Sequence, residues 1–277
     1  MSTAGSPSVF AIADDCQPNR DGYDSLMYWP PLEEYYGGSD FVNYGYWLPG
    51  TPDARAAAEN LMERLLAWVP AKEGLILDVA CGKGASTRHL LRHYPAAAVT
   101  GINISAKQLA TCQARVPGPR FLLMDAVALG FADETFDTVL CVEAAFHFCT
   151  RERFFREAWR VLKPGGRLVV SDILLTREAE ERRRFRHVQN FLPDPAAYQA
   201  LLAQCGFAGV RLEDATGPSF HGAYWHLVQF SHAKLLRGEM TVASLKNFLK
   251  RVLAFVPEIR YYLLACGTRP AGTGGRP

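Results

Sequence analysis

No apolar run in this chain is long enough to cross a bilayer; the longest, near Leu168 to Leu175, has the length of a buried strand. Its start shows no basic segment ahead of an apolar core, so no secretory leader is read and a cytoplasmic location is expected. Cys-x-x-Cys spacing is also missing. The seven cysteines, Cys16, Cys81, Cys112, Cys141, Cys149, Cys205 and Cys266, are scattered, the pattern of a reduced intracellular chain rather than a disulfide scaffold. No sign of charge prevails. A net charge of +2 supplies no basic face, so neither a nucleic-acid nor a membrane partner is expected. His89 and His93 stand four apart, yet no third ligand accompanies them in sequence, so they read as an ordinary helix surface and no metal is expected.

What is present is an apolar run, Leu75 to Leu77, that enters Asp78-Val-Ala-Cys-Gly82-Lys-Gly84-Ala-Ser-Thr87. Branched residues leading to an acid and a two-glycine bend, with helix-competent residues next, read as a buried strand entering a tight loop under a helix start. This is the nucleotide-binding corner of a Rossmann-like sheet, where a Cβ would keep a ligand off the backbone. A dinucleotide corner carries a third glycine, and here Thr87 holds that place. Asp78 would repel a pyrophosphate and attract an ammonium or a sulfonium. Gly82-x-Gly84 alone leaves a ligand-free turn open as the alternative.

Further strands are read at 97–104, 120–124, 136–142, 167–173, 210–212 and 261–266, alternating with helical patterns. The fold class is therefore α/β, a Rossmann-like seven-stranded, mostly parallel sheet with helices on both faces, plus a helical and aromatic cap. Ligands of such sheets bind outside the carboxyl ends of the strands, so Asp78, Asn103, Asp125 and Glu143 are expected on one rim. Residues 1–55 read as an N-terminal arm and aromatic lid, 56–216 as the core, 217–258 as a helical cap and 259–277 as the last strand and tail. The lid is dense in rings from Tyr23 to Trp47, without a steady period, and reads as irregular. Thr51-Pro52-Asp53 starts one helix and Thr150 another, which Pro164-Gly165-Gly166 stops. A charged helix follows from Thr176, with Glu178–Arg182 and Glu180–Arg184 as pairs on a solvated face.

The corner, the string Arg160-Val-Leu-Lys-Pro-Gly-Gly166 and the acid after the third strand together resemble the class I S-adenosylmethionine-dependent methyltransferases. The resemblance covers roughly residues 60 to 215 closely. It implies S-adenosylmethionine as cofactor and a small-molecule acceptor, in a monomer or homodimer. It places Tyr23 and Tyr44 near the methionine carboxylate, and Asp78, Gly82 and Gly84 at the glycine loop. Asp125 would meet the adenine amine and the Ala126 amide a ring nitrogen. At the ribose position, 25 residues beyond Asp78, stands Asn103, where many relatives carry an acid. Its amide has one acceptor oxygen, and Ser105-Ala-Lys-Gln108 matches a Ser-x-x-Gln ribose motif of the cyclopropane-forming and tocopherol-type members, so the role is divided between Asn103 and Gln108. The acceptor pocket is expected to include Phe191, Phe220 and Trp225.

For a hydroxyl acceptor a proton must leave as the methyl arrives. His147, just past the fourth strand, is the candidate base, because a histidine ordinarily titrates near neutrality. Asp172, on the neighbouring strand, would orient its ring, as in the antibiotic-sugar O-methyltransferases that the chain resembles. C-methylation of an electron-rich carbon, a protein that binds S-adenosylmethionine without transferring methyl, and more distantly an NAD-dependent dehydrogenase remain the alternatives.

Overall fold

The computed structural model describes residues 20–182, 190–254 and 256–271. Residues 1–19 and 272–277, where loose ends are expected, and Arg184 with its expected ion pair lie outside that part. Seven strands form one sheet in the order β3-β2-β1-β4-β5-β7-β6. They are β1 (Ile76–Val79), β2 (Val99–Asn103), β3 (Arg120–Leu123), β4 (Phe136–Val142), β5 (Leu162–Leu175), β6 (Ala208–Asp214) and β7 (Ile259–Thr268). All neighbours among the first five pair in parallel, and β7 runs antiparallel to β5 and β6. The order reverses at β1 and β4, the place where an open α/β sheet leaves a crevice at its carboxyl edge.

Alternation along β5 builds two cores. Leu168, Val170 and Leu174 face one side, with Phe154 and Phe155 of α6 (Arg151–Val161) and Tyr198 of α8 (Pro195–Gln204). Val169, Ile173 and Leu175 face the other, under Leu61, Met62, Leu65 and Leu66 of α3 (Ala54–Leu66). Each of those four α3 side chains is fully buried, worth about 2 kcal/mol apiece in apolar transfer. Asp53 caps α3 by accepting from the Ala56 amide, Thr150 caps α6 through the Arg153 amide, and Asp194 caps α8 through the Ala197 amide.

Several boundaries differ from the sequence reading. α6 ends at Val161, and the Pro164-Gly165-Gly166 segment belongs to a β5 that begins at Leu162, its pairing with β4 shifting register between Phe136 and Thr138. Within that string the Arg160 guanidinium holds Glu157 and Asp133 and the carbonyls of Leu129 and Phe131, tying the loop ahead of β4 to α6. The charged segment forms α7 (Arg177–Arg182), but Arg182 pairs with Glu258 across space at 2.9 Å, rather than within its own helix. Cys81, Cys112, Cys141, Cys205 and Cys266 are buried free thiols.

The arm is helical where the rings begin, as α1 (Arg20–Met27) and α2 (Pro30–Tyr35), and irregular only afterwards. Between β6 and β7 lie a π-helical turn (Thr216–His221), α9 (Gly222–Leu236) and α10 (Val242–Leu253). Arm and cap pack on each other: Tyr35 meets Phe230 and His226, Trp47 lies 4.3 Å from His226, and Lys234 pairs with Glu34. The arm also crosses α3 at Gly45, whose φ is +72° and whose absent Cβ leaves room for the Ala57 backbone; an added Cβ would lie 2.7 Å from the Ala57 carbonyl carbon. Gly45→Ala should therefore destabilise the protein by about 1–3 kcal/mol in urea unfolding. Gly165→Ala, at φ +83° with open space around it, should lose only the conformational part, about 1 kcal/mol. Equal losses would refute the close-approach account.

Candidate active site

Asp78 is the most confined acid on the carboxyl rim. It is 1% exposed, and its Oδ2 accepts from the hydroxyls of Ser86 at 2.7 Å and Thr87 at 2.6 Å. Thr87, standing where a third glycine would, thus holds the carboxylate in place. The other oxygen, Oδ1, is buried and has no hydrogen-bond partner in the protein. Burial pushes the Asp78 pKa up to about 6, against the opposing pull of the two hydroxyls. The loop beneath it bends through left-handed Gly82 (φ +56°) and Gly84 (φ +90°), the second heading α4 (Ala85–Leu90). An orphaned carboxylate oxygen in a polar corner is a costly arrangement unless a donor, best a cationic one, completes it. The residues present fit the ammonium or sulfonium end of a nucleoside.

Along the rim Asn103 closes β2. Its amide nitrogen donates to the Gly82 carbonyl at 3.2 Å and to Gln108 Oε1 at 2.9 Å, and its oxygen accepts from the Ser105 amide. Ser105 also caps α5 (Ala106–Arg115), and its hydroxyl and the Gln108 amide both donate to Asp24 Oδ1 at 2.8 Å. Asp24 on α1 of the arm thus sets a carboxylate beside Ser105 and Gln108, in a contact between residues 84 apart. Asp125 follows β3, 8% exposed, with Oδ1 accepting from the Val127 amide in a turn through Ala126.

Glu143 sits past β4 in left-handed backbone (φ +49°), a strained conformation for a residue with a Cβ. Its Oε1 accepts from the Tyr44 amide and the Tyr262 hydroxyl, both at 2.6 Å, so it ties the arm to β7. Desolvation there pushes its pKa up to about 8, despite those two donors. Tyr44 lies edge-on against Phe220 at 5.3 Å, and burial raises its phenol pKa.

His147 ends a 3₁₀ turn after β4, and its Nε2 shares a hydrogen bond with the Tyr23 hydroxyl. The expected Asp172 partnership takes another form. Asp172 lies on the α6 side of β5, fully buried, with Oδ2 accepting from Arg151 Nε at 2.7 Å and Oδ1 from the Ile173 amide. Arg151 in turn donates to the Asn190 carbonyl at 2.5 Å, and the Asn190 amide nitrogen reaches the carbonyls of Phe146 and Phe148 at 3.3 and 3.5 Å. Asp172 therefore connects to the segment carrying His147 through Arg151 and Asn190, two residues that sequence reasoning missed.

The acceptor residues are not gathered in one place. Phe220 is buried beside Tyr44, Phe191 packs under the Arg177 guanidinium at 4.3 Å, and Trp225 is 62% exposed on α9. Trp225 thus belongs to the outer surface of the cap, since α9 turns its packed side to the arm through His226 and Phe230.

Comparison with known proteins settles the family. A family model described as a methyltransferase domain matches residues 77–170. Methyltransferase GfsG of Streptomyces halstedii is 31% identical over 258 residues, covering 83% of this chain and 87% of that protein. The chain belongs to the class I S-adenosylmethionine-dependent methyltransferases. The 27-O-demethylrifamycin SV methyltransferase of Amycolatopsis mediterranei is 28% identical over 267 residues, 88% of this chain and 94% of that protein. Among solved structures the [4+2]-cyclase SpnF shares the fold, with a TM-score of 0.70 at 22% identity over 93% of this chain and 98% of that one. S-adenosylmethionine is the cofactor of this methyltransferase. No helix among the described residues is long and apolar enough to cross a membrane.

An Asp78 contact to the cationic end of the cofactor has a pH signature. Below pH 6 the carboxylate is protonated, so S-adenosylmethionine affinity should weaken by up to about tenfold per pH unit, and Asp78→Asn should abolish that dependence while costing about 10- to 100-fold in affinity at pH 8. Calorimetry from pH 5 to 8 checks it; a flat wild-type profile would rule the contact out. Glu143 predicts a second pH effect, on stability. Because its pKa rises from 4.5 unfolded to about 8 folded, the folded state holds a proton that the unfolded state has lost, and the stabilisation is complete below pH 4.5 and fades as pH climbs to 8. Glu143→Gln keeps both acceptor bonds without titrating, so its melting temperature should vary less with pH over that window than the wild type's.

Proposed function

We propose that this methyltransferase methylates a hydroxyl oxygen of a small, largely apolar metabolite, with His147 as general base. The observation that carries the reading is the Tyr23 hydroxyl on His147 Nε2: a phenolic hydroxyl already shares the hydrogen bond that an acceptor hydroxyl would need. When bound, the cofactor supplies an electrophilic methyl on a positively charged sulfur that becomes a neutral thioether as the C–S bond breaks. His147 Nε2 takes the acceptor's proton as the O–C bond forms. Tyr23 then either yields its place to the acceptor or passes the proton along. Asp78 and the glycine loop hold the cationic end of the donor, Asn103, Gln108 and Asp24 the ribose, and Asp125 with the Ala126 amide the adenine.

The Asp172–Arg151–Asn190 chain positions the base. By anchoring the carbonyls on either side of His147, it holds the imidazole at the rim without touching the reacting atoms. The arm and the 217–258 segment act as one lid that keeps water from the transfer, with Tyr44 and Phe220 as its apolar lining. The relative named as a 27-O-demethylrifamycin SV methyltransferase supports oxygen as the accepting atom.

His147→Ala should lower kcat by roughly 10² to 10⁴ while S-adenosylmethionine affinity is kept, and Asn190→Ala should lower kcat less, also without loss of cofactor affinity. The measurement is S-adenosylhomocysteine release over a panel of hydroxylated metabolites, followed by NMR location of the new methyl. Unchanged turnover in His147→Ala removes the base, and a methyl on carbon replaces the reading with C-methylation. Cofactor binding without any S-adenosylhomocysteine release across the panel would replace it with a non-transferring protein.

A further inference from the structure

The face of the molecule formed by α3 and α4 carries a cluster that methyl transfer does not use. His89, at the end of α4, is 3% exposed, so the ordinary-surface reading of the two histidines is corrected. Its Nε2 lies 2.7 Å from Glu63 Oε1, and His93 Nε2 lies 2.9 Å from the same oxygen. Glu63, in α3, is the third donor that is invisible in sequence, 26 residues before His89. The three donor atoms all lie within 4.8 Å of one another.

We propose that Glu63, His89 and His93 form a divalent-metal site suited to zinc. Two imidazole nitrogens and one carboxylate oxygen are the donor set that zinc accepts, with water as a fourth ligand on the open side. That side exists, because the Glu63 side chain is 50% exposed and that of His93 23%, whereas His89 is held at 2% and gives the site a fixed anchor. Metal entry needs each histidine nitrogen to part from the Glu63 oxygen by about half an ångström, to the roughly 3.3 Å edge of a tetrahedron with bonds near 2.0 Å. Glu63, at the surface, has the freedom to make that shift. The nearby Arg92 does not oppose the cation strongly, because its guanidinium is paired with Glu59 at 3.1 Å.

The consequence is mechanical. α4 follows the Gly84 cap and carries Ser86 and Thr87, the hydroxyls that hold Asp78. A metal at the far end of that segment would staple it to α3 and stiffen the cofactor loop from behind. The proposal is independent of which atom accepts the methyl.

The test is calorimetric titration of tag-free, full-length protein with zinc chloride at pH 7.5 after chelator treatment, with Co²⁺ absorption as a second readout of the ligand set. One metal per chain, a tetrahedral Co²⁺ spectrum and a raised melting temperature are expected. His93→Ala and Glu63→Ala should each weaken zinc binding by about 100-fold or more, beyond the 10- to 100-fold of outer-shell changes, while S-adenosylhomocysteine affinity shows that both variants are folded. Absence of stoichiometric binding would overturn the proposal. So would binding that survives both substitutions, which would place the metal elsewhere in the chain.

Discussion

The structure depends on one buried carboxylate. Asp78 is pinned on one oxygen by two hydroxyls and left open on the other, in a position where water is excluded and its own charge is disfavoured. Such a group costs stability in the free protein and regains it from a cation. That asymmetry separates this corner from the pyrophosphate-binding version of the same turn, in which the backbone amides face an anion. The substitution that marks the difference is Thr87, whose hydroxyl does for the acid what a glycine could not.

Around that corner the arm does more than cover the site. Asp24 supplies a carboxylate beside Asn103 and Gln108, Tyr23 reaches His147, and the Tyr44 amide meets Glu143. Lys83, inside the glycine loop and almost fully buried, pairs with Glu33 at 3.0 Å and lies 3.5 Å from Asp40, so the loop itself is tied to the arm. Four contacts between segments far apart in sequence converge on one rim. The arm is thus held to the rim at several points, and the cap is packed on the arm through Tyr35 and Trp47.

Much of this was legible in the residues. Apolar runs ending in Asp78, Asn103, Asp125 and Glu143 located the sheet and its carboxyl edge, because a parallel strand buried on both faces reads as continuous branched residues and the polar residue that follows must lie at its end. Caps at Asp53 and Thr150 marked helix starts by the same local logic. What was not legible comes from tertiary pairing. Asp172 reads as a strand-end acid near His147, yet β5 continues to Leu175 and the alternation of its side chains turns Asp172 toward Arg151. Asp24, Asn190 and Glu63 carry no pattern of their own; only folding brings each to its partners. The exposure of Trp225 was not legible, because an aromatic in a helical cap has no period that says which face it occupies.

The central claim is that the corner holding Asp78 takes a cationic adenosyl amino acid and not a dinucleotide. Calorimetry of the purified protein at pH 6, in two buffers of different ionisation enthalpy, tests it directly. S-adenosylhomocysteine, whose ammonium would complete Asp78, should bind one per chain, with a heat that differs between the buffers because the half-protonated carboxyl releases its proton. NAD should give no binding heat. Uptake of NAD with indifference to S-adenosylhomocysteine would contradict the account.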